Sequence, residues 1–201
     1  MRQFRWLLFL GVCLFTITLS FGSACQRQPQ TQQQPQPQYT PTATIKDLMD
    51  ALVDSSADVV WESVTTTVSA AGTLEKMPRN DEEWTNVRRG AIRLVEASNL
   101  LLMPGRHMAR PGEKSEAPGI ELEPDEMEAL VKKDPVGWNK RTMGLYEAAM
   151  VMLRAAEAKD PQKVLDAGER LENACENCHA SYWYPNQVLP PGYEESAKRS
   201  K

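Results

Sequence analysis

The sequence predicts an all-α protein, and two observations support this fold class. Long stretches are rich in Ala, Leu, Glu, Lys and Met, and glycine accounts for only 11 of the 201 residues, which favours helices over strands. Apolar residues also recur at spacings of three and four in four separate segments. One domain fits this length, and we expect an antiparallel four-helix bundle at residues 44–184 with no strand pairing.

The first two helices are predicted from start signals followed by apolar stripes. Thr44 suits the N-cap of one long helix, whose stripe comprises Ile45, Leu48, Met49, Leu52, Val59, Val60, Val64 and Val68. The second helix begins after RNDEEW, where acidic residues suit the positive end of the helix dipole, and it ends at MPG. Its stripe comprises Trp84, Val87, Ala91, Leu94, Val95, Leu101 and Leu102. The Pro- and Gly-rich residues 104–123 predict a loop.

The third and fourth helices are punctuated by prolines. A short helical lead-in, PDEMEALVKKD, stops at Pro135, and the main third helix is expected from about Val136 to Lys159. Its core face comprises Trp138, Thr142, Leu145, Ala149, Met152 and Ala156. Pro161 suits the first turn of the fourth helix. The fourth stripe comprises Val164, Gly168, Leu171, Cys175, Cys178 and Tyr182, and a weakly structured tail is expected at 185–201.

The N-terminal segment has the layout of a secretory signal, because two arginines precede a long apolar run that small residues follow. The tetrapeptide GSAC then resembles the bacterial lipoprotein signal. That resemblance implies a signal peptide at 1–24 and acylation of Cys25. Gly22 stands where the lipoprotein pattern prefers Leu, so ordinary cleavage after Ala24 and an uncleaved anchor both stay open.

Residues 25–43 are mostly Gln and Pro and offer almost nothing to bury. Such composition predicts a disordered tether, which suits a spacer between a membrane surface and a folded domain. A disordered tail of a soluble protein is the alternative.

The charge of the chain gives no sign of a nucleic-acid partner. The formal net charge is -4, and no cluster of Lys or Arg is interleaved with aromatic residues. Proteins that bind nucleic acids usually carry a basic patch. We therefore expect no nucleic-acid partner.

The sequence Cys-Glu-Asn-Cys-His at 175–179 predicts one covalently bound haem c. In Cys-x-x-Cys-His the two thiols add across the haem vinyl groups as thioethers, and the histidine supplies a ring nitrogen to the iron. Steps of three and four residues place all three side chains on one side of a helix. Cys175 and Cys178 are therefore the predicted attachment residues, and His179 is the predicted proximal ligand. The predicted export fits, because this attachment is made outside the cytoplasm.

Other interpretations of the motif are a redox dithiol, a zinc site and a chance occurrence. A redox Cys-x-x-Cys usually lies where a strand meets a helix, and no strand is expected before Cys175. A zinc site wants four ligands and would have to recruit the distant His107. We expect His107 to be a solvated loop residue.

The segment LENACENCHASYW resembles the class II cytochromes c, the cytochrome c-prime family, and the resemblance covers about residues 44–184. Members of that family carry the haem motif near the C-terminus, on the fourth helix of a four-helix bundle. Their attachment cysteines and proximal histidine correspond to Cys175, Cys178 and His179. The resemblance implies a monohaem electron carrier rather than an enzyme.

The expected location follows from combining the lipoprotein-like signal with this resemblance. We expect an exported protein on the periplasmic side of a bacterial membrane, held there by a lipid anchor. Redox proteins of the cell envelope are the expected partners, and a homodimer stays open as a further association.

Members of the family divide into those with a bare distal haem face and those with a methionine ligand from the first helix. Met49, in IKDLMDAL, has the position that the second group uses, with Leu48 or Leu52 as the blocking residue otherwise. A bare face gives the alternative function, a cytochrome that binds nitric oxide or carbon monoxide as a scavenger or sensor. A peroxidase-like activity would need a distal His and Arg pair, which the sequence does not identify.

The sequence does not choose the other side chains around the haem. Tryptophans could pack against the porphyrin, and the candidates are Trp61, Trp84, Trp138 and Trp183. Arginines could pair with the propionates, and the candidates are Arg88, Arg89, Arg106 and Arg141.

Overall fold

The computed structural model describes residues 39–187, most of which are helical. The elements in chain order are α1 (Ile45–Leu48), a π-helical segment (Met49–Asp54), α2 (Ser55–Trp61), β1 (Thr65–Ser69), β2 (Gly72–Lys76), α3 (Asp81–Leu101), α4 (Pro124–Lys133), α5 (Pro135–Glu157) and α6 (Pro161–Tyr182). The expected signal peptide 1–24, Cys25, and most of the tether and of the tail lie outside the described residues. Within residues 39–187, no helix is long and apolar enough to cross a membrane.

The first helix begins where the sequence predicts and ends earlier than expected. The Thr44 side chain accepts a hydrogen bond from the Asp47 N–H at 3.1 Å, and the Asp47 carboxylate accepts one from the Thr44 N–H at 2.9 Å. This capping box satisfies two backbone donors at the helix start. α1, the π-helical segment and α2 follow one another directly as far as Trp61. The expectation that this helix continues through Val64 and Val68 is wrong.

Residues 65–76 form an antiparallel hairpin, in which Thr65 pairs with Lys76 and Ser69 with Gly72. The fold is mostly helical, as expected. The expectation of no strand pairing is wrong, because this hairpin is present. The run TTTV is β-branched, which disfavours a helix and suits a strand. Gly72 has a φ of 123°, a conformation that other residues rarely adopt. Val68 is 77% exposed and belongs to no core stripe.

The later helices begin at the signals that the sequence contains. Asn80 caps α3, with its side-chain oxygen accepting from the Glu83 N–H at 2.9 Å. α4 and α5 meet at Asp134, whose carboxylate caps α5 by accepting from the Gly137 N–H at 2.8 Å. The predicted interruption at Pro135 is thus a junction between two helices. Pro161 opens α6, as predicted.

The helices pack around one apolar core. α3 lies along α5, and α5 lies along α6. The first helix packs on α3 and, through α2, on α6, whereas the shorter α4 contacts α5 and α6. The largest fully buried apolar side chains are Leu94, Met152, Leu171, Val60, Val87 and Val164. This packing brings the C-terminal half of α6 close to the π-helical segment and to the loop at 104–123.

Candidate haem-binding site

A cavity of about 460 Å³ lies between the first helix, α5, α6 and the loop at 104–123. Its lining includes Met49, Cys175, Cys178 and His179, the residues predicted to hold the haem. The volume falls in the range of about 300–1,000 Å³ that is usual for cofactor and ligand pockets. The structure therefore brings the predicted distal residue and the Cys-x-x-Cys-His motif to one cavity, although they are far apart in the sequence.

A buried hydroxyl group in the cavity wall favours a ligand with both apolar and polar parts. Thr142 is 1% exposed, and its hydroxyl makes no hydrogen bond with the described residues, whereas the hydroxyl of Tyr182 interacts with Arg141. Leaving a buried hydroxyl unpaired costs about 1–3 kcal/mol. A haem has an apolar ring with polar propionates at one edge, so it suits these walls. The two thiols and the imidazole are the donor set that covalent haem needs, and the residues present therefore fit this group.

Cys175 and Cys178 are free, partly buried thiols. Burial raises the pKa of Cys175 to about 12, and the Glu172 carboxylate adds to the effect. Burial also raises the pKa of Cys178 to about 11, although Arg141 opposes the shift. A redox dithiol needs a thiolate with a lowered pKa. The surroundings of these cysteines therefore do not favour the redox-dithiol alternative.

The zinc alternative fails on position. The side chain of His107 is 77% exposed and lies within 3.4 Å of the Glu128 carboxylate. His107 is not among the residues that line the cavity with Cys175, Cys178 and His179. The fourth ligand that a zinc site would require is therefore not brought to the motif, and His107 is the solvated loop residue that the sequence predicts.

His179 lies on the last turn of α6, and three neighbours contact its ring. The Nδ1 atom is 3.3 Å from the Oε1 atom of Glu176, which is one turn earlier on the same helix. The ring of Trp183 packs edge to face against the imidazole, with the two ring centres 4.9 Å apart. The centre of the Tyr184 ring lies 5.8 Å from that of the imidazole. Because Glu176 engages Nδ1, Nε2 is the ring nitrogen left for a metal ion.

Met49 is the first residue of the π-helical segment. Such segments are rare inside α-helices and frequently occur at functional sites. Met108 and Met127 also line the cavity, and sequence reasoning identified neither of them as a sulfur ligand. Leu48 and Leu52, the expected blocking residues, are not among the lining residues. Met49 is the sulfur-bearing side chain of the first helix in this lining, which also includes Asp50 and Asp54 from the same helix.

Most of the tryptophan candidates line the cavity, whereas the arginine candidates do not. The tryptophans that line the cavity are Trp61, Trp138 and Trp183, whereas Trp84 is buried in the core elsewhere. Among the described residues, the cavity lining includes none of the four arginine candidates, Arg88, Arg89, Arg106 and Arg141. Arg141 lies next to the cavity, with its guanidinium carbon 5.4 Å from the centre of the Tyr182 ring. Of the four candidates, Arg141 is therefore the one that contacts a residue of the cavity lining.

The sequence patterns indicated none of the charged residues in the described cavity wall, which are Lys46, Asp50, Asp54, Lys114, Glu116, Glu121, Glu172 and Glu176. Glu176 stands three residues before His179, and Lys46 stands three residues before Met49. Such pairs are neighbours on a helix, so this spacing could have indicated both. Lys114 lies in the irregular loop, where no periodic pattern could have indicated it.

Comparisons with known proteins found no relative: no protein-family model matches the chain, and no curated protein or solved structure gives a significant match.

Proposed function

We propose that the chain is a monohaem class II c-type cytochrome that carries single electrons. The observation that carries this proposal is that Cys175, Cys178 and His179 line one cavity together with Met49. In the proposed bundle, residues 45–61 form the first helix, α3 and α5 follow, and α6 is the fourth, haem-bearing helix. When bound, the haem supplies a reversible one-electron change at its iron.

The residues of the chain would attach the haem, ligate it and shield it from water. Each thiol would add across one vinyl group, with its sulfur bonding to one carbon and its hydrogen passing to the other, so no oxidant would be consumed. His179 would offer Nε2 to the iron, and Met49 would offer a soft thioether sulfur. The apolar walls exclude water, and methionine ligation raises the reduction potential relative to an open site.

The visible spectrum of the purified protein in both oxidation states tests this proposal. A c-type spectrum that carbon monoxide changes only slowly supports the electron carrier with both axial positions filled. A rapid change on addition of carbon monoxide to the reduced protein would favour the alternative, a gas-binding cytochrome with an open distal face. A protein without a haem spectrum, made in a host that matures c-type cytochromes, would overturn both functions.

We also propose that the protein is exported and held at the periplasmic side of a membrane by acyl chains on Cys25. The lipoprotein-like GSAC tetrapeptide and the Gln/Pro-rich tether after it support this location. Redox proteins of the cell envelope would then be its partners. Cys25→Ser should release the domain from membranes, whereas Cys13→Ser, within the signal segment, should leave it attached. An unmodified Cys25 at the mature N-terminus would contradict the lipid anchor.

A further inference from the structure

The carboxylate of Glu176 contacts both His179 and Tyr184. Its Oε1 atom lies 3.3 Å from the Nδ1 atom of His179. Both of its carboxylate oxygens also lie 2.8 Å from the hydroxyl of Tyr184. The carboxylate is therefore held between a phenol and the imidazole, rather than extending freely into solvent.

The turn after α6 fixes the other members of this arrangement. The N–H groups of Trp183 and Tyr184 both donate to the His179 carbonyl, at 2.8 Å and 3.0 Å. The Leu122 N–H donates to the Trp183 carbonyl at 2.8 Å, which ties this turn to the segment before α4. These bonds fold both aromatic rings back against the imidazole. The position of Tyr184, and through it that of Glu176, is therefore set by backbone hydrogen bonds.

We propose that Glu176 is a positioning residue for the axial histidine. Its carboxylate keeps the proton of His179 on Nδ1, fixes the orientation of the ring and makes Nε2 a stronger donor to the iron. A carboxylate in the outer shell of a metal-bound histidine fixes its tautomer and raises its basicity. A stronger donor stabilises ferric iron more than ferrous iron, so Glu176 lowers the reduction potential. This inference rests on the proposed haem function.

Glu176→Gln is the direct test, with Glu172→Gln as the matched control. Glutamine keeps the size of the side chain and an accepting oxygen but removes the charge that draws on the Nδ1 proton. Glu172 also lines the cavity and lies one turn earlier on α6, so its variant loses the same charge without losing a contact to His179. Both side chains are at least partly exposed, and we expect both variants to fold.

Outer-shell partners of metal ligands typically contribute about 10–100-fold to metal affinity. We expect the preference for ferric iron to fall about tenfold in Glu176→Gln relative to Glu172→Gln, which raises the reduction potential by about 59 mV for one electron. The iron–histidine stretching frequency, measured in ferrous protein that also carries Met49→Leu, should fall in Glu176→Gln alone. Equal potentials and equal frequencies in the two variants would overturn the role of Glu176. A wild-type protein without haem would instead overturn the proposed function and this inference together.

Discussion

Met49 and His179 lie on different helices and line the same cavity. We expect the Met49 sulfur and a His179 nitrogen to ligate one iron, which makes the resting haem six-coordinate and low-spin. Met49→Leu keeps volume and apolarity, so it should cost less than about 1.5 kcal/mol of stability. The variant should become high-spin, bind carbon monoxide faster and show a lower reduction potential. Visible and magnetic resonance spectra measure this change.

Two other methionines provide the controls for this variant. Met108 and Met127 line the same cavity, so each could supply a sulfur in place of Met49. Met108→Leu and Met127→Leu should leave the low-spin spectrum unchanged. A high-spin spectrum in one of them, with Met49→Leu unaffected, would move the distal ligand to that residue. A wild type that is already five-coordinate and high-spin would favour the gas-binding alternative.

Thr142 and Ser56 test whether the cavity holds a polar ligand. Both hydroxyl groups are buried without a hydrogen-bond partner among the described residues, but only Thr142 is among the residues that line the cavity. Ser56→Ala should raise the free energy of unfolding by about 1 kcal/mol, because it removes an unpaired polar group. Thr142→Val should lower it by about 1 kcal/mol in the haem-loaded protein, because the hydroxyl then has a partner. Guanidinium unfolding of both variants measures the two signs, and a gain in Thr142→Val would contradict the account.

Glu128, in α4, holds the loop at 104–123 through a hydrogen bond that we expect to weaken in acid. Its carboxylate accepts from the Lys132 ammonium at 2.6 Å and from the Met108 N–H at 3.2 Å. These bonds lower the pKa of Glu128 from its ordinary value of 4.5 to about 2. A lowered pKa means that the stabilisation is complete above pH 4.5 and is lost as the pH falls towards 2.

Glu128→Gln should therefore be less stable than wild type by about 1 kcal/mol at pH 7, a small value because the carboxylate is partly exposed. The difference should shrink as the pH falls below 4.5, where the wild-type carboxylate begins to lose its advantage. Urea unfolding at pH 7 and at lower pH measures both proteins. Glu147→Gln, at an exposed position in the middle of α5, is the control for the loss of one carboxylate and should differ little from wild type at pH 7. A stability gap for Glu128→Gln that stays constant with pH would contradict this role.

Gly90 and Gly144 separate close helix packing from helix propensity. A Cβ atom on Gly90 would lie 3.0 Å from the Cγ1 atom of Val59 and 3.3 Å from the Ser56 carbonyl, whereas one on Gly144 would have no neighbour within 4 Å. Gly144→Ala should raise the free energy of unfolding by about 0.5–1 kcal/mol. Gly90→Ala should be less stable than Gly144→Ala by about 1–3 kcal/mol, because the new methyl group overpacks the contact between α2 and α3. Equal stabilities of Gly90→Ala and Gly144→Ala in thermal unfolding would show that α2 and α3 can move apart at Gly90 without cost.

The sequence predicts the helical class and most helix starts because the signals are local. Thr44, Pro135 and Pro161 act on the few backbone groups beside them, and each lies where the structure begins a helix or joins two. The hairpin at 65–76 was missed because Val64 and Val68 extend the helical spacing of the first stripe. The β-branched run between them and the φ of Gly72 decide the backbone there instead.

The site was predictable in part for the same reason. Cys175, Cys178 and His179 fall on one face of one helix, which spacing alone indicates. Lys114, Met108 and Met127 reach the cavity through the fold of an irregular loop and the docking of α4, and no pattern in the sequence encodes those positions.

The intact mass of the denatured protein shows whether haem is covalently attached to Cys175 and Cys178. Wild-type chain and the double variant Cys175→Ser, Cys178→Ser would be produced in a host that matures c-type cytochromes and measured side by side. We expect the wild-type chain to carry the mass of one covalent haem and the double variant to have the mass of the polypeptide alone. A wild-type chain at the mass of the bare polypeptide, or a double variant that retains covalent haem, would contradict this expectation.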